Sequence, residues 1–380
     1  MFYYESIIQQ AKKEKQMVCG DHVSCTRLKT GSYFGIFDGI GSGIYANIAA
    51  TECASRWSTM IENGLSFSET CEKMASGMHK ARSQPFPFTA FNCAKLTPKG
   101  YVQIFTYEAP KPIMIRNGVV HVIEPRFYTV GYEIIGESMT TFEKSDQLLI
   151  FSDGVSQAGL GNTHPLGWGE RGLAEFFSAH MNSFDNHEAL LQKILAHCQQ
   201  LSGGKHADDT SIMLINCKSP KYLSVFTGPP SLKEKDEIFA GAFRKAKGKK
   251  MICGSTTVDI ISRETNEPVR LKEKGLGFNS PPEYGMNGAD MVTEGAMVLN
   301  QVSNILDAEQ IEVTDETSPE RMANLFYQSD VIHFHVGNAK NRTHQLLPFR
   351  QLGIKVRADV VKEIAEKLRE KGKMVYFDFY

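Results

Sequence analysis

The stretch Tyr33-Phe34-Gly35-Ile36-Phe37-Asp38-Gly39-Ile40-Gly41-Ser42-Gly43 is an apolar run that stops at an acid and breaks into glycines. A short apolar run bounded by turn residues reads as a buried strand. Asp38 then sits at the strand end, and Gly39 allows a sharp turn and close backbone approach. A helical pattern follows over residues 44–61. The same layout recurs where an apolar run leads into Ser152-Asp153-Gly154-Val155. Gly20-Asp21 precedes a strand at 23–28, and Asp208-Asp209-Thr210-Ser211 leads into the strand SIMLINC. Strand ends are fixed points, so these four segments can hold carboxylates rigidly around one centre.

Carboxylates brought together repel one another unless a cation neutralises them. An oxygen-only donor set favours hard divalent ions such as Mg²⁺ or Mn²⁺, and the Gly39 carbonyl can add to it. Two such ions ~3.5–4 Å apart can generate hydroxide and support displacement at phosphorus. The residues therefore point to binuclear metal hydrolysis of a phosphate ester. An Asp-Gly pair at a strand end, taken singly, is ordinarily a cap or turn; four in this order argue for more.

Around these segments, residues 3–15 read as a helix. Ser66 with Glu69 reads as a capping box opening a second helix to residue 82. Strands dominate residues 88–151, with Asn117-Gly118 as a hairpin turn. Helices return at 170–181 and 187–201. Many strands with two helical pairs imply a β-sandwich flanked by helices. Ile48, Trp57, Met60 and Met74 are expected in the core.

The chain has 380 residues, 42 basic against 43 acidic, and eight scattered cysteines without C-x-x-C or zinc spacing. The net charge of −1 argues against nucleic-acid binding driven by charge. No apolar run approaches the ~20 residues of a membrane span, and the N-terminal stretch lacks a signal-peptide layout. Reduced thiols in a cytoplasm are expected.

The ordered set GD, DGxGxG, SDG and DDTS, together with TAFNCAKLTPKGYVQIFTYEAPKPIMIRNG and GYEII between them, resembles the metal-dependent protein phosphatase 2C superfamily. It is most similar to the bacterial branch typified by the stage II sporulation protein E phosphatases, over residues 16–217. The resemblance implies an α+β fold, a four-layer αββα sandwich over residues 1–218; the smaller α/β domain expected over 219–380 lies outside it and rests on the alternation of helix and strand there. The resemblance implies a serine/threonine phosphoprotein phosphatase using two Mn²⁺ or Mg²⁺ ions. Asp38 would bridge them, with the Gly39 carbonyl on one. Asp153 and Asp208 would hold the other, and Asp21 would act near the first. Asp209 is a second-shell position there, or else a surface turn residue. Lys205 and His206, on a Gly-rich loop, are candidates for substrate phosphate. The resemblance also implies that helices 44–61 and 66–82 can shift to complete the site.

Two departures bear on mechanism. Many eukaryotic relatives carry His after the DG of the second motif as a general acid; here it is Ile40. They also carry an Arg before the first acid, where this chain has KEKQMVCGD; Lys15 there reads as a solvated helix-end lysine. The bacterial branch commonly lacks both. The implied substrate is a phosphorylated regulatory protein, such as an anti-sigma antagonist. A catalytically silent phosphatase-like scaffold or ligand-binding module is the alternative.

The composition shifts near residues 217–236, which marks the domain boundary. Beyond it helix and strand alternate, implying an α/β layer fold: strands at 222–227, 250–253, 330–336 and 374–379, and helices at 232–246, 290–306, 319–328 and 358–371. Residues 258–263 read as helix or strand. Gly254-Ser255-Thr256-Thr257 and Gly337-Asn338-Ala339-Lys340-Asn341-Arg342 follow strands and can offer N–H groups, hydroxyls and the Lys340 and Arg342 cations to a small anionic ligand. His333 and His335 share a strand face without an evident third ligand. Asp290 and Glu294 read as dipole-offsetting acids at a helix start.

Overall fold

The computed structural model describes residues 1–82, 88–184, 186–273, 283–307, 316–339 and 355–380. The chain divides into two compact units, Met1–Ser219 and Pro220–Tyr380.

The first unit runs β1 (Tyr3–Ala11), β2 (Asp21–Leu28), β3 (Gly31–Gly39), α1 (Ile44–Glu62), α2 (Phe67–Arg82), β4 (Thr89–Leu96) and β5 (Tyr101–Tyr107). It continues with β6 (Ile113–Arg116), β7 (Val119–Val122), β8 (Arg126–Val130), β9 (Glu133–Thr141) and β10 (Gln147–Phe151). The short α3 (Asp153–Ser156), α4 (Gly169–His180), α5 (His187–Leu201) and β11 (Thr210–Lys218) complete it. Two antiparallel sheets form, in the orders β1-β11-β10-β6-β7 and β2-β3-β4-β5-β9-β8.

Alternation along each strand builds three apolar layers. Phe34 and Ile36 of β3 meet Leu148, Ile150, Met213 and Ile215 between the sheets. Tyr33 and Phe37 point the other way, onto Trp57, Phe67 and Met74 of α1 and α2. Leu149, Phe151 and Leu214 face Leu173, Phe177, Leu190 and Ile194 of α4 and α5. The result is an αββα sandwich. The capping box at Ser66 and Glu69 forms, with Glu69 N donating to Ser66 Oγ and Ser66 N to Glu69 Oε2. The Asn117-Gly118 hairpin places both residues at positive φ, 51° and 77°, as a two-residue primed turn requires.

The expected helix at 3–15 is wrong. Residues Tyr3–Ala11 are an edge strand paired antiparallel with β11 along its whole length. Ile7 and Ala11 are four apart, and that spacing shares a face in a helix and in a strand alike. Pairing with β11 decides the outcome. Lys15 is accordingly no helix-end residue; it lies in a turn with φ 68°. Ile48 is also not core: it is exposed, together with Ile40, Ile44 and Tyr45, while Trp57 and Met74 are buried and Met60 packs at the core's margin.

The second unit runs β12 (Tyr222–Thr227), α6 (Asp236–Lys245), β13 (Lys249–Cys253), α7 (Ser255–Thr265), β14 (Val269–Glu273), β15 (Glu283–Met286) and β16 (Met291–Thr293). Then come α8 (Ala296–Asp307), α9 (Ser318–Gln328), β17 (Val331–Val336), α10 (Arg357–Glu370) and β18 (Met374–Phe379). Its sheet has the order β14-β15-β16-β13-β12-β17-β18, and β16 through β18 are parallel. Residues 258–263 are helical. The expected helix at 290–306 is instead a strand, Met291–Thr293, then a helix from Ala296. Asp290 therefore offsets no helix dipole; its Oδ2 accepts from Lys250 N at 2.8 Å.

Gly39 shows why that position must lack a side chain: a Cβ there would lie 2.0 Å from the Ala46 carbonyl oxygen. Gly77 in α2 has open space around the same position. Urea unfolding should show Gly39→Ala destabilised by about 1–3 kcal/mol. Gly77→Ala should gain roughly 0.5–1 kcal/mol from the helical preference for alanine.

Candidate metal centre

The inter-sheet face of β3 carries Phe34 and Ile36 and then reaches Asp38. Asp21 begins β2 directly opposite Asp38 in the antiparallel register. From the facing sheet, β10 ends at Phe151, and Ser152 precedes the one-turn α3 that begins with Asp153, its side chain making no cap hydrogen bond. β11 begins immediately after Asp208-Asp209. Two strand ends from each sheet thus bring five carboxylates to one end of the sandwich.

Asp21 and Asp209 are buried, whereas Asp38, Asp153 and Asp208 are partly exposed. Asp21 is 3% exposed. Ser152 Oγ donates to its Oδ2 at 2.7 Å, and Ser211 N donates in turn to Ser152 Oγ at 2.9 Å. The other oxygen, Asp21 Oδ1, is buried without a partner. Gln157 Nε2 holds Asp153 Oδ2 at 2.8 Å. Asp208 is half exposed and pairs with Lys13 Nζ at 3.2 Å. A pocket of about 270 Å³ opens beside it, lined by Gly154, Gln157, Gly159, Asn162 and Ser202.

Proton affinities follow from this crowding. Burial pushes Asp38 up to about 10, with the charges of Asp21, Asp153 and Asp208 adding to it. Burial pushes Asp21 up to about 6; hydrogen bonds from Ser211 and Ser152 oppose the rise, and Asp209 and Asp153 reinforce it. Asp153 is raised by burial and by Asp208, with its hydrogen bond to Asp38 and the Lys13 charge opposing. Acids this reluctant to ionise together are a site that a hard cation would relieve. The all-oxygen donor set and the orphaned Asp21 oxygen fit a divalent metal. The glycine at position 39 keeps its backbone within reach.

Asp209 is buried, not a surface turn residue. Its Oδ1 accepts from Lys13 N at 2.9 Å, and its Oδ2 is so close to Gly20 that a Cβ there would lie 2.7 Å away. It braces the residue 12–20 loop against β11. Lys205 is exposed and pairs with Glu14 at 3.3 Å, while the His206 carbonyl accepts from Glu14 N at 3.0 Å. Both tie two loops together at the rim. Ser152 and Ser211 belong to the SDG and DDTS motifs, which gave them no role of their own; nothing in the sequence marks Lys13 or Gln157 as site residues.

A second group of ligand-type side chains lies in Pro220–Tyr380. His333 Nε2 is 3.0 Å and His335 Nδ1 3.8 Å from Asp378 Oδ2. This corrects the expectation that the two histidines lack a third partner: the parallel register sets Asp378 beside His335. His335 also stacks on Phe226, with ring centroids 4.2 Å apart, and meets the Tyr380 hydroxyl at 3.0 Å. Lys340 and Arg342 lie outside the described residues. All eight cysteines are free thiols. Among the described residues no helix is long and apolar enough to cross a membrane.

The family profile described as Stage II sporulation protein E (SpoIIE) matches residues 29–218, half of the chain. No curated protein matches it. Among solved structures, it is similar to the PP2C phosphatase domain with a regulatory-domain fragment of the Bacillus subtilis cell-fate determinant SpoIIE. That match has 12% identity and a TM-score of 0.49, covering 57% of this chain and 62% of that one. It is also similar to the RsbU and RsbW domains of a Mycobacterium tuberculosis protein, at 16% identity and TM-score 0.48, over 64% and 67% of the two chains. A structure of RsbX in complex with magnesium matches at 16% identity and TM-score 0.40, over 57% of this chain and all of that one. The chain thus spans less than two thirds of the first of these structures.

The raised proton affinities have a thermodynamic consequence. The folded state binds these protons more tightly than the unfolded chain, whose aspartates titrate near pH ~4. Stability without metal therefore falls as pH rises above about 4, through about 6 for Asp21 and on toward about 10 for Asp38. Thermal melts in chelator should show a lower Tm at pH 8 than at pH 5.5, with the deficit recovered by Mg²⁺ or Mn²⁺. Asp38→Asn should raise the chelator Tm at pH 8 and blunt the metal response. A melt flat in pH and indifferent to metal would contradict this account of the cluster.

Proposed function

The chain belongs to the stage II sporulation protein E family, and from that premise we propose that its first unit is a metal-dependent serine/threonine phosphoprotein phosphatase. The observation that carries this reading is the convergence of Asp21, Asp38, Asp153 and Asp208 from four strand ends onto one end of the sandwich.

In this reading Asp38, the Gly39 carbonyl, Asp153 and Asp208 would hold the cations. Asp21, gripped by Ser152, acts at the inner end. Two bound Mg²⁺ or Mn²⁺ ions would neutralise the cluster, lower the pKa of water and draw charge from the phosphate oxygens. The chain's own residues do the positioning. Ser152 and Ser211 fix Asp21, and Gln157 fixes the Asp153 carboxylate. Lys13 adds a cation at the open side beside Asp208. Ile40 cannot donate a proton, so a departing serine oxygen takes its proton from water or a neighbouring group.

The substrate in this reading is a phosphorylated bacterial regulatory protein of the anti-sigma antagonist type, met in the cytoplasm. A protein partner suits the rim. Exposed Ile40, Ile44, Tyr45 and Ile48 flank the loop at Asp38, an apolar surface that a small phosphometabolite would not use.

Hydrolysis of p-nitrophenyl phosphate across Mn²⁺ and Mg²⁺ titrations tests the reading. Wild-type turnover should need metal, and Asp153→Asn should lose at least about a hundredfold in kcat/KM. Lys13→Met should lose less. If no phosphoester is turned over and calorimetry finds metal binding equal in wild type and Asp153→Asn, the chain is a silent phosphatase-like scaffold.

A further inference from the structure

The second unit offers a different site. Read outward from its first strand, the parallel strands lie in the order β16-β13-β12-β17-β18. Chain order reverses between β12 and β17. α6, after β12, packs Phe239 and Phe243 on the sheet face carrying Phe226. α10, after β17, packs Val360, Val361 and Ile364 on the opposite face, against Leu223 and Val225. Open sheets of this kind bind ligands at the carboxyl ends of the strands around such a reversal.

Arg357, the first residue of α10, stands at that edge. It lies four residues before Val361, on the helix stripe that faces the sheet. Its guanidinium passes so close to β12's end that a Cβ on Gly228 would lie 2.4 Å from Nη1. The Nε is buried and has no hydrogen-bond partner. Among the described residues no carboxylate pairs with this cation. Burial depresses its proton affinity, offset only by the thiol of Cys253. A guanidinium partly withdrawn from water without an anion is costly, and an incoming anion would relieve that cost.

The neighbouring strand ends supply matching donors. Thr227, Cys253 and Thr293 are side by side in the parallel registers of β12, β13 and β16. They follow Val225 and Met291 on the face that α10 covers. Thr227 is 0% and Thr293 1% exposed, and both hydroxyl oxygens are buried without a partner. α7 and α10 begin at this edge with no side-chain cap on their first N–H groups. Gly254 and Gly295 bring the starts of α7 and α8 together: a Cβ on Gly295 would lie 3.3 Å from the Gly254 Cα. Three unsatisfied buried polar groups of donor type and free helix N–H groups thus share one edge.

We infer that the carboxyl edge of the second sheet binds the oxyanion group of a small molecule, with Arg357 as its counter-charge and the Thr227 and Thr293 hydroxyls as further donors. The site belongs to Pro220–Tyr380 and the aspartate cluster to Met1–Ser219, and the inference does not depend on the phosphatase reading. Phosphate and carboxylate share the chemistry that Arg357 recognises, and separate probes distinguish them.

The full chain, in chelator so that no metal-held anion counts, would be titrated calorimetrically with phosphate, pyrophosphate and oxalate. At least one probe should bind one equivalent per chain, and the stronger class identifies the ligand's anion. Arg357→Met should weaken it about tenfold or more, as loss of a charge-assisted partner does, and Thr227→Val with Thr293→Val should weaken it less. Asp38→Asn should bind like wild type. Without any probe, Arg357→Met should melt higher than wild type, because it removes a partly buried charge that no carboxylate among the described residues pairs. If none of the three probes binds wild type, or if Arg357→Met binds as wild type does, the inference fails. A folded Arg357→Lys variant, checked by its melt, guards against reading misfolding as lost affinity.

Discussion

Mutual repulsion among buried carboxylates is the constraint on which the first unit turns. Nothing in the apolar layers needs Asp21, Asp38 and Asp153 to be where they are. Each sits at the end of a strand whose other residues build the core, so the sandwich's hydrophobic energy holds the acids in place. The two sheets supply opposing carboxylates, and their packing prevents the acids from drifting apart. A cation is the natural relief.

The second unit presents the opposite sign by the same logic. Its parallel strands and covering helices bury Leu223, Val225, Phe334 and Ile364, and that packing carries Arg357 to the strand ends with no counter-ion among the described residues. One unit is short of cations and the other short of an anion. Both deficits lie where rigid strands stop and loops begin, which is where folds expose backbone donors and place functional side chains.

Much of the first unit was legible in the sequence because its signals are local. IFDG and IFSDG announce strand, acid and turn within a few residues, and Asn117-Gly118 announces a hairpin. The 3–15 segment was misread because Tyr3, Ile7 and Ala11 satisfy two periodicities at once, and only β11 chooses between them. Ile48 looked like core because it is apolar on a helix, yet it faces outward beside Tyr45. The 290–306 segment hid a three-residue strand whose partners, β13 and β15, come from other parts of the chain.

What the sequence determined by itself was the chemistry available: oxygen donors at strand ends, glycines where backbones must approach, and no proton donor at Ile40. These are properties of neighbours along the chain. Tertiary structure alone decided who faces whom. Lys13 meets Asp208, Asp378 meets His335, and Arg357 meets Gly228 because strand registers and helix packing bring distant segments together. Such pairings depend on the whole set of buried contacts, so no local pattern encodes them.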